Sequence, residues 1–355
     1  MSTRTRNALA VLLAATLLGV ALLLAARSAP SRRAVVSPLQ AVPAQAPIVV
    51  VLRLDKLRAS PFSRLVSDAS TAQNLGSPAC SARMLDRVRE AALFIAEGSE
   101  EDFGLAALGD LSREALAQCA RQAIGSRGGL VNLVETEGFT LVEDHALGQG
   151  AATLAVREGG PLLLARPVQL SRMIAAIEGR TPSAYDDGEH ARMRSALQMN
   201  GDVVVTAQLS NAFRQKIRAI AGQDVSLASV LAVAGGIEAG PTAHVRVLVW
   251  CNGAPACDGL AKALQAAVAE VRDSLAMRVA GVAGLLQSAV IRAQNGQLVI
   301  DVRAPAEEIV TVLQRLWRWD ETFEASAPPV VPMPALSLSD EVLRAPRVPG
   351  RDGGR

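Results

Sequence analysis

One short stretch of the sequence gathers several side chains that could bind a metal ion. Residues 185–190 read Tyr-Asp-Asp-Gly-Glu-His, which places Asp186, Asp187, Glu189 and His190 close together. Carboxylate oxygens suit hard cations, but the spacing lacks the alternating acids and the glutamate at the twelfth position of an EF-hand loop. A solvated acidic loop is the more ordinary interpretation. The sequence therefore predicts no metal and no other cofactor, and these four residues are the local candidates for a metal site.

The residue types that catalysis requires do not form a recognisable motif. Nucleophilic catalysis needs a serine, cysteine or threonine beside a base. The chain has three histidines, His145, His190 and His244, and no G-x-S-x-G sequence. It also lacks a phosphate-binding G-x-x-x-x-G-K-[S/T] loop. We therefore predict a protein that is not an enzyme, with no catalytic or cofactor-binding residue; an active site assembled from residues distant in the sequence is the alternative.

The four cysteines are Cys80, Cys119, Cys251 and Cys257. An even number is typical of exported proteins, in which cysteines form disulfides. Four cysteines allow three connectivities, of which we favour Cys80–Cys119 and Cys251–Cys257. The second pair encloses the sequence NGAPA, which is short enough for a local bridge. Buried free thiols are the alternative, and a zinc site is disfavoured because no C-x-x-C spacing occurs.

The N-terminus has the pattern of a membrane-inserted or secreted chain. A basic region, residues 1–7, precedes an uncharged apolar run over residues 8–26. A signal-peptide core has about 7–15 apolar residues and a spanning helix about 20, so the length favours an uncleaved transmembrane anchor. Small residues near the end of the run keep signal cleavage open as the alternative. We expect a single-pass inner-membrane protein with its bulk in the periplasm or outside, or else a secreted protein.

Charge and composition exclude some classes of partner. The net charge of +2 depends on five arginines within residues 1–33, and the remaining chain carries 31 basic and 34 acidic residues. No basic stripe remains for phosphates, so we predict that the protein does not bind nucleic acid. Aromatic residues make up only 3% of the chain, which disfavours a sugar-binding cleft or a platform for stacking bases.

Hydrophobic patterning divides the chain into segments. Strand-like and helix-like patterns alternate, and glycine-containing turns at 137–138, 159–160 and 295–296 mark hairpins. The patterns also predict a short helix at 227–234 and a long helix that begins at Asp258. The sequence predicts an α+β fold with two tandem units of antiparallel sheet, each covered by helices on one face. A single mixed sheet spanning both halves is the alternative. The predicted segments are a Pro-rich spacer at 27–46, the first unit at 47–180, a linker loop at 181–200, the second unit at 201–319 and a disordered Pro/Gly-rich tail at 320–355.

A loose resemblance accompanies this layout. The sequence APIVVVLRLDKLRASPF at residues 46–62 joins an extended strand to D-x-x-x-L-R-x-S-P, and each half carries a pair of cysteines. On these features the chain resembles uncharacterised exported or membrane-anchored bacterial proteins with tandem α+β units. The resemblance implies an envelope location and this architecture, and it implies no chemistry.

Three functional hypotheses follow from the sequence. The first is a non-enzymatic, membrane-anchored protein of the cell envelope that acts as a scaffold or binds another envelope protein. The second is a module that binds a small or apolar ligand outside the cytoplasm. The third is the enzyme with a dispersed active site. The predicted contacts are therefore the membrane, through residues 8–26, and an envelope protein partner.

Overall fold

The computed structural model describes residues 35–65, 86–96, 102–126, 128–144, 151–186, 188–211, 214–215, 229–273, 282–312 and 314. The predicted anchor at 8–26, Cys80, His145, Asp187 and the predicted tail at 320–355 lie outside the described residues. Among the helices that are described, none is long and apolar enough to span a membrane.

The first half of the fold begins before the first strand. A 3-10 turn at Pro38–Ala41, capped by Ser37, is followed by alternating strands and helices in the described part of the chain. Most of the turn is buried, so residues 35–46 of the predicted spacer belong to the folded body. The elements are β1 Ile48–Arg53, α1 Leu54–Arg58, β2 Val88–Ile95, β3 Phe103–Gly109, α2 Arg113–Gly125, β4 Val131–Thr136, β5 Phe139–Asp144, β6 Thr153–Val156, β7 Leu162–Ala165 and α3 Pro167–Ile177.

The second half begins with a helix in the segment that the sequence predicted to be a linker loop. α4 spans Gly188–Ala196. The pattern also predicted a short helix at 227–234, but residues from Val230 onward form a strand. The remaining elements are β8 Val203–Gln208, β9 Val230–Glu238, β10 Thr242–Cys251, α5 Ala254–Asp273, α6 Val282–Gln287, β11 Val290–Gln294, β12 Gln297–Pro305 and a helix α7 over 306–312.

All the named strands belong to one antiparallel sheet. Their order is β11-β12-β10-β9-β8-β1-β2-β3-β7-β6-β5-β4. The α+β class and the antiparallel sheet are thus confirmed, whereas the division into two separate sheets is wrong. The two halves join at β1, where Val49 lies opposite Phe94 of β2 and opposite Thr206 of β8. Because β1 is apolar on both faces and pairs along both edges, it is an interior strand and not the edge of a unit.

Helices cover both faces of the sheet, which corrects the prediction of helices on one face. We call the face that carries Val49, Phe94 and Thr206 the front face, and α3 and α4 pack there. α1, α5 and α7 pack on the back face. Strand alternation explains the arrangement, because Leu248 of β10 contacts the α4 cluster while its neighbour Val249 contacts the α5 cluster.

Two of the hairpins turn where the sequence predicted. Asn295 and Gly296 have φ angles of 52° and 73°, and they join β11 to β12. Glu137 and Gly138 have φ angles of 51° and 78° between β4 and β5. Positive φ at both central residues is the requirement of a type I′ turn, whose twist matches that of the flanking strands.

Candidate functional site

His190, a predicted metal candidate, lies on α4 and is fully buried against the front face. Its Nε2 lies 2.6 Å from the carbonyl oxygen of Ala46, and its Nδ1 lies 2.7 Å from Oγ1 of Thr206. A carbonyl only accepts, so Nε2 carries the proton and Nδ1 accepts the hydrogen of the Thr206 hydroxyl. Burial lowers the pKa of His190, an effect that the Ala46 carbonyl opposes. Both ring nitrogens are occupied, and His190 is therefore a structural residue that joins α4 to the sheet.

The acidic neighbours of His190 do not converge on a common point. Glu189 forms an exposed ion pair with Arg192, with 2.6 Å between the charged atoms. Asp186 is exposed, and Asp187 lies outside the described residues. Within the described part of the chain, no group of three or more potential ligands has metal-binding geometry.

His244 belongs to a charged network on the front face of the outer strands. Asp301 of β12 accepts hydrogen bonds from Nε2 of His244 at 3.2 Å, from Nε of Arg246 at 2.7 Å and from Arg292 at 3.1 Å. Burial tends to raise the pKa of Asp301, but the bonds from Arg246 and His244 and the charges of Arg246 and Arg292 outweigh it and lower the pKa. Arg246 also donates to the carbonyl of Leu197 at 3.2 Å, which ties the end of α4 to the sheet. Among the described residues, no serine, cysteine or threonine bonds to His244, and the hydrogen bonds to Asp301 link β10 and β11 to β12.

Two predicted disulfide cysteines are joined at the end of β10. Cys251 and Cys257 form a disulfide with Cα atoms 5.5 Å apart, as predicted. The helix after Cys251 begins at Ala254 and not at Asp258, because Pro255 suits the first turn of a helix. Cys119 on α2 is also disulfide-bonded. Its predicted partner, Cys80, lies outside the described residues.

A groove of about 660 Å³ opens on the front face beside α4. Its walls come from one side of α4, from the chain around Pro47, from the end of β8 and from the start of β9, and Trp250 at the end of β10 also lines it. The lining residues are Gln45, Pro47, Glu189, Arg192, Met193, Ala196, Gln208, Leu209, Ser210, Leu231, Ala232 and Trp250. Most of these are apolar, and the polar ones include the exposed Glu189–Arg192 ion pair.

The groove is open because two of the residues that line it, Ala196 and Ala232, have small side chains. Ala232 of β9 lies directly opposite Trp250 of β10 and opposite Gln208 of β8. Ala196 lies on the facing side of α4, and both alanines line the groove. A larger side chain at either position would fill the space, because the strand register and the helix fix where it must point. Leu231 at the start of β9 is 39% exposed, which leaves apolar surface at the groove.

The lining residues and the volume of the groove describe what it could hold. Its lining contains neither histidine nor cysteine, and its hydroxyl group, Ser210, has no described histidine beside it. A volume of 660 Å³ lies within the range of about 300–1,000 Å³ that is usual for small-molecule sites. Sequence reasoning missed this site because Ala196, Ala232 and Trp250 lie on three different elements. The one available signal was Trp250, a rare aromatic residue beside a cysteine.

Comparison with known proteins gives a fold likeness and no family. No protein-family model matches the sequence, and no curated protein is similar to it. The structure is similar to crystal form IV of TP0453, with a TM-score of 0.51 and 14% identity over 80% of this chain and 99% of that chain. Crystal form III of TP0453 gives a TM-score of 0.49 and 16% identity over 80% of this chain and 100% of that chain. The likeness to form IV supports a shared fold alone.

Proposed function

We propose that this chain is a non-enzymatic binding protein of the cell envelope and that its front-face groove holds a small apolar ligand. The observation that carries the proposal is the groove itself, a space of about 660 Å³ that is walled mainly by apolar side chains. Burying apolar ligand surface there gains about 25 cal/mol per Å². Trp250 contributes an aromatic ring to the lining, and the small side chains of Ala196 and Ala232 take up little of the groove.

The groove carries few fixed charges, which favours an uncharged or weakly polar ligand. Glu189 and Arg192 neutralise one another at its edge, with side chains that are 54% and 74% exposed. The amides of Gln45 and Gln208 and the hydroxyl of Ser210 are the other polar groups of the lining. Such groups can orient one polar end of a ligand while the apolar body lies on Trp250.

The location belongs to the same proposal. An uncharged run of 19 residues at 8–26 supports a transmembrane anchor, and the paired cysteines support an oxidising compartment such as the periplasm. We therefore place the folded body on the exported side of an inner membrane, with a secreted form as the alternative. The resemblance to exported bacterial proteins, the scaffold or envelope-partner role and the absence of enzymatic activity remain predictions.

A photoaffinity experiment tests the groove and the anchor separately. The full chain in membrane vesicles is treated with an uncharged hexadecanol analogue that carries a diazirine, irradiated and mapped by mass spectrometry. We expect labels near Leu231 and Trp250 from the groove and labels within residues 8–26 from the bilayer. Labels in 8–26 without labels in the groove would overturn the ligand site, and the reverse result would overturn the anchor.

A pair of matched variants makes the groove assignment specific. Ala232→Leu adds a side chain inside the groove, and we expect it to reduce groove labelling about tenfold or more, as for loss of about 1.4 kcal/mol of binding. Ala263→Leu makes the same change on the exposed side of α5 and should leave labelling unchanged. Equal labelling of the two variants would show that the probe does not occupy the groove.

A further inference from the structure

The sheet ends on one side at β4, and the outer edge of this strand carries main-chain groups that pair with no described residue. Apolar side chains along it are exposed, Leu130 by 67%, Leu133 by 43% and Val134 by 36%. Leu133 lies opposite Val142 of β5 and Val134 lies opposite Leu141, so exposed apolar groups stand on both faces of the strand. An edge of this kind is a template for pairing with another strand.

The β4 edge carries little charge that would prevent it from pairing with another strand. Edge strands are usually blunted by charged residues, proline or a bulge. β4 has the sequence VNLVET, in which Glu135 is the one charged residue. Its carboxylate accepts hydrogen bonds from Arg113 of α2 and from Oγ1 of Thr140. The strand therefore presents a nearly uncharged surface, and adding a second strand there would not bury an unpaired charge.

The opposite edge of the sheet, at β11, is protected. α5 packs along β11, and the side-chain amide of Gln265 donates a hydrogen bond of 2.8 Å to the main-chain carbonyl of Ile291. Arg292 in the middle of β11 carries a positive charge and is bound to Asp301. Joining β4 of one copy to β11 of another would produce an open-ended chain of molecules. The protection of β11 opposes that outcome and, among the described residues, leaves β4 as the unpaired edge of the sheet.

We infer that β4 pairs with β4 of a second copy of this chain, antiparallel and about a two-fold axis at Leu133. A strand edge selects an extended strand as its occupant, because the ladder of main-chain hydrogen bonds requires one. In this register Leu133 lies opposite Leu133 of the second copy, Val131 opposite Glu135, and Asn132 opposite Val134. The two Glu135 carboxylates therefore do not face one another, and the Leu133 side chains of the two copies contact each other.

This dimer is independent of whether the groove is filled. Six residues of strand cover far less than the roughly 1,600 Å² of a standard interface, so the affinity is expected to be weak and to depend on concentration. Pairing two copies would extend the sheet continuously through the dimer, and the two-fold axis closes the assembly at two copies.

Cysteine cross-linking of the full chain tests the pairing and its register. Leu133→Cys places two thiols directly opposite, with Cβ atoms about 4.5–5.5 Å apart. A disulfide needs about 3.5–4.5 Å, so it forms there after a shift of the two strands by about 1 Å. Val134→Cys, the matched neighbour, leaves the two thiols on a diagonal at about 7–8 Å. We expect a reducible dimer from Leu133→Cys under mild oxidation and little from Val134→Cys, with both native disulfides kept. Equal cross-linking of both variants, or none from Leu133→Cys, overturns the inference.

A charge variant tests the same contact without new thiols. Leu133→Lys places two ammonium groups opposite one another, and we expect it to weaken dimerisation about tenfold or more. Val168→Lys on the exposed surface of α3 is the control and should not change dimerisation. Sedimentation equilibrium of the full chain in detergent measures both. A wild-type chain that remains monomeric at about 0.5 mM, or unchanged association of Leu133→Lys, contradicts the β4 dimer.

Discussion

Arg157 and Glu178 form a buried ion pair in the first half of the sheet. Nη1 of Arg157 lies 2.9 Å from Oε1 of Glu178, and the arginine side chain is only 6% exposed. The guanidinium carbon also lies 4.9 Å from the centre of the Phe139 ring. The pair joins the end of β6 to the end of α3, and the cation rests on the ring of β5. Without the Glu178 carboxylate, the buried guanidinium of Arg157 would destabilise the fold, because it has lost its hydration and would have no opposite charge beside it.

Removing the carboxylate should therefore destabilise the fold strongly. We expect Glu178→Gln to lower the free energy of unfolding by about 2–3 kcal/mol, less than the full cost of a buried unpaired charge because Glu178 is 27% exposed. Glu307→Gln is the matched control, because Glu307 and its ion-pair partner Arg64 both have exposed side chains. This substitution should lower the free energy of unfolding by less than about 1 kcal/mol. Urea unfolding of the full chain measures both. Equal costs for the two variants would contradict the assignment.

The buried His190 should make stability depend on pH. Its pKa is lowered in the folded state, so the unfolded chain binds the proton more readily. Stability is thus fully present above the unfolded pKa of about 6.5 and falls as the pH drops below that value, by at most about 1.4 kcal/mol per pH unit for one proton. The loss ends below the folded pKa. Unfolding free energies measured between pH 8 and pH 5 should show this slope.

His190→Gln tests the origin of that slope. The variant keeps a polar side chain but cannot take up a proton, so the part of the slope due to His190 should vanish while His244→Gln keeps it. At pH 8 we expect His190→Gln to cost about 1–3 kcal/mol, because the amide cannot satisfy both the Ala46 carbonyl and the Thr206 hydroxyl with the same geometry. An unchanged slope would place the titrating group elsewhere.

Replacing Asp301 should lower the free energy of unfolding more than replacing any one of its basic partners. Its carboxylate accepts from His244, Arg246 and Arg292, so Asp301→Asn weakens three interactions and should cost about 1–3 kcal/mol at pH 7. Arg292→Gln removes one half-exposed partner and should cost less than about 1 kcal/mol. The folded pKa of Asp301 is lowered, so its contribution is present above about pH 4 and is lost at lower pH. Urea unfolding at pH 7 and pH 3 checks both statements.

Local features of this fold were predictable from sequence because their causes are local. The turn at Asn295-Gly296 depends on two residues that tolerate positive φ, and the Cys251–Cys257 bridge on two cysteines six positions apart. The joining of β1 to β8 was not predictable, because it pairs residues about 155 positions apart and no local pattern specifies that register.

α4 has a helical pattern of buried residues in the segment predicted to be a linker loop. Its buried residues His190 and Met193, with Leu197 just after the helix, follow helical spacing. Because histidine is polar, His190 does not register as the first apolar position of this spacing, and the pattern predicts a linker loop where the fold has a helix. The groove was missed for another reason, since Ala196, Ala232 and Trp250 meet only in the folded chain.

The Cys251–Cys257 disulfide should stabilise the start of α5 to a modest extent. Both cysteines are buried, and the bridge fastens the first turn of α5 to the end of β10. The loop that it closes is short, so the entropy removed from the unfolded chain corresponds to about 2 kcal/mol. We expect Cys251→Ala with Cys257→Ala to lower the free energy of unfolding by about that amount, measured by urea unfolding without reductant. If reductant destabilises the double variant as much as the wild type, the stabilisation does not come from this bridge.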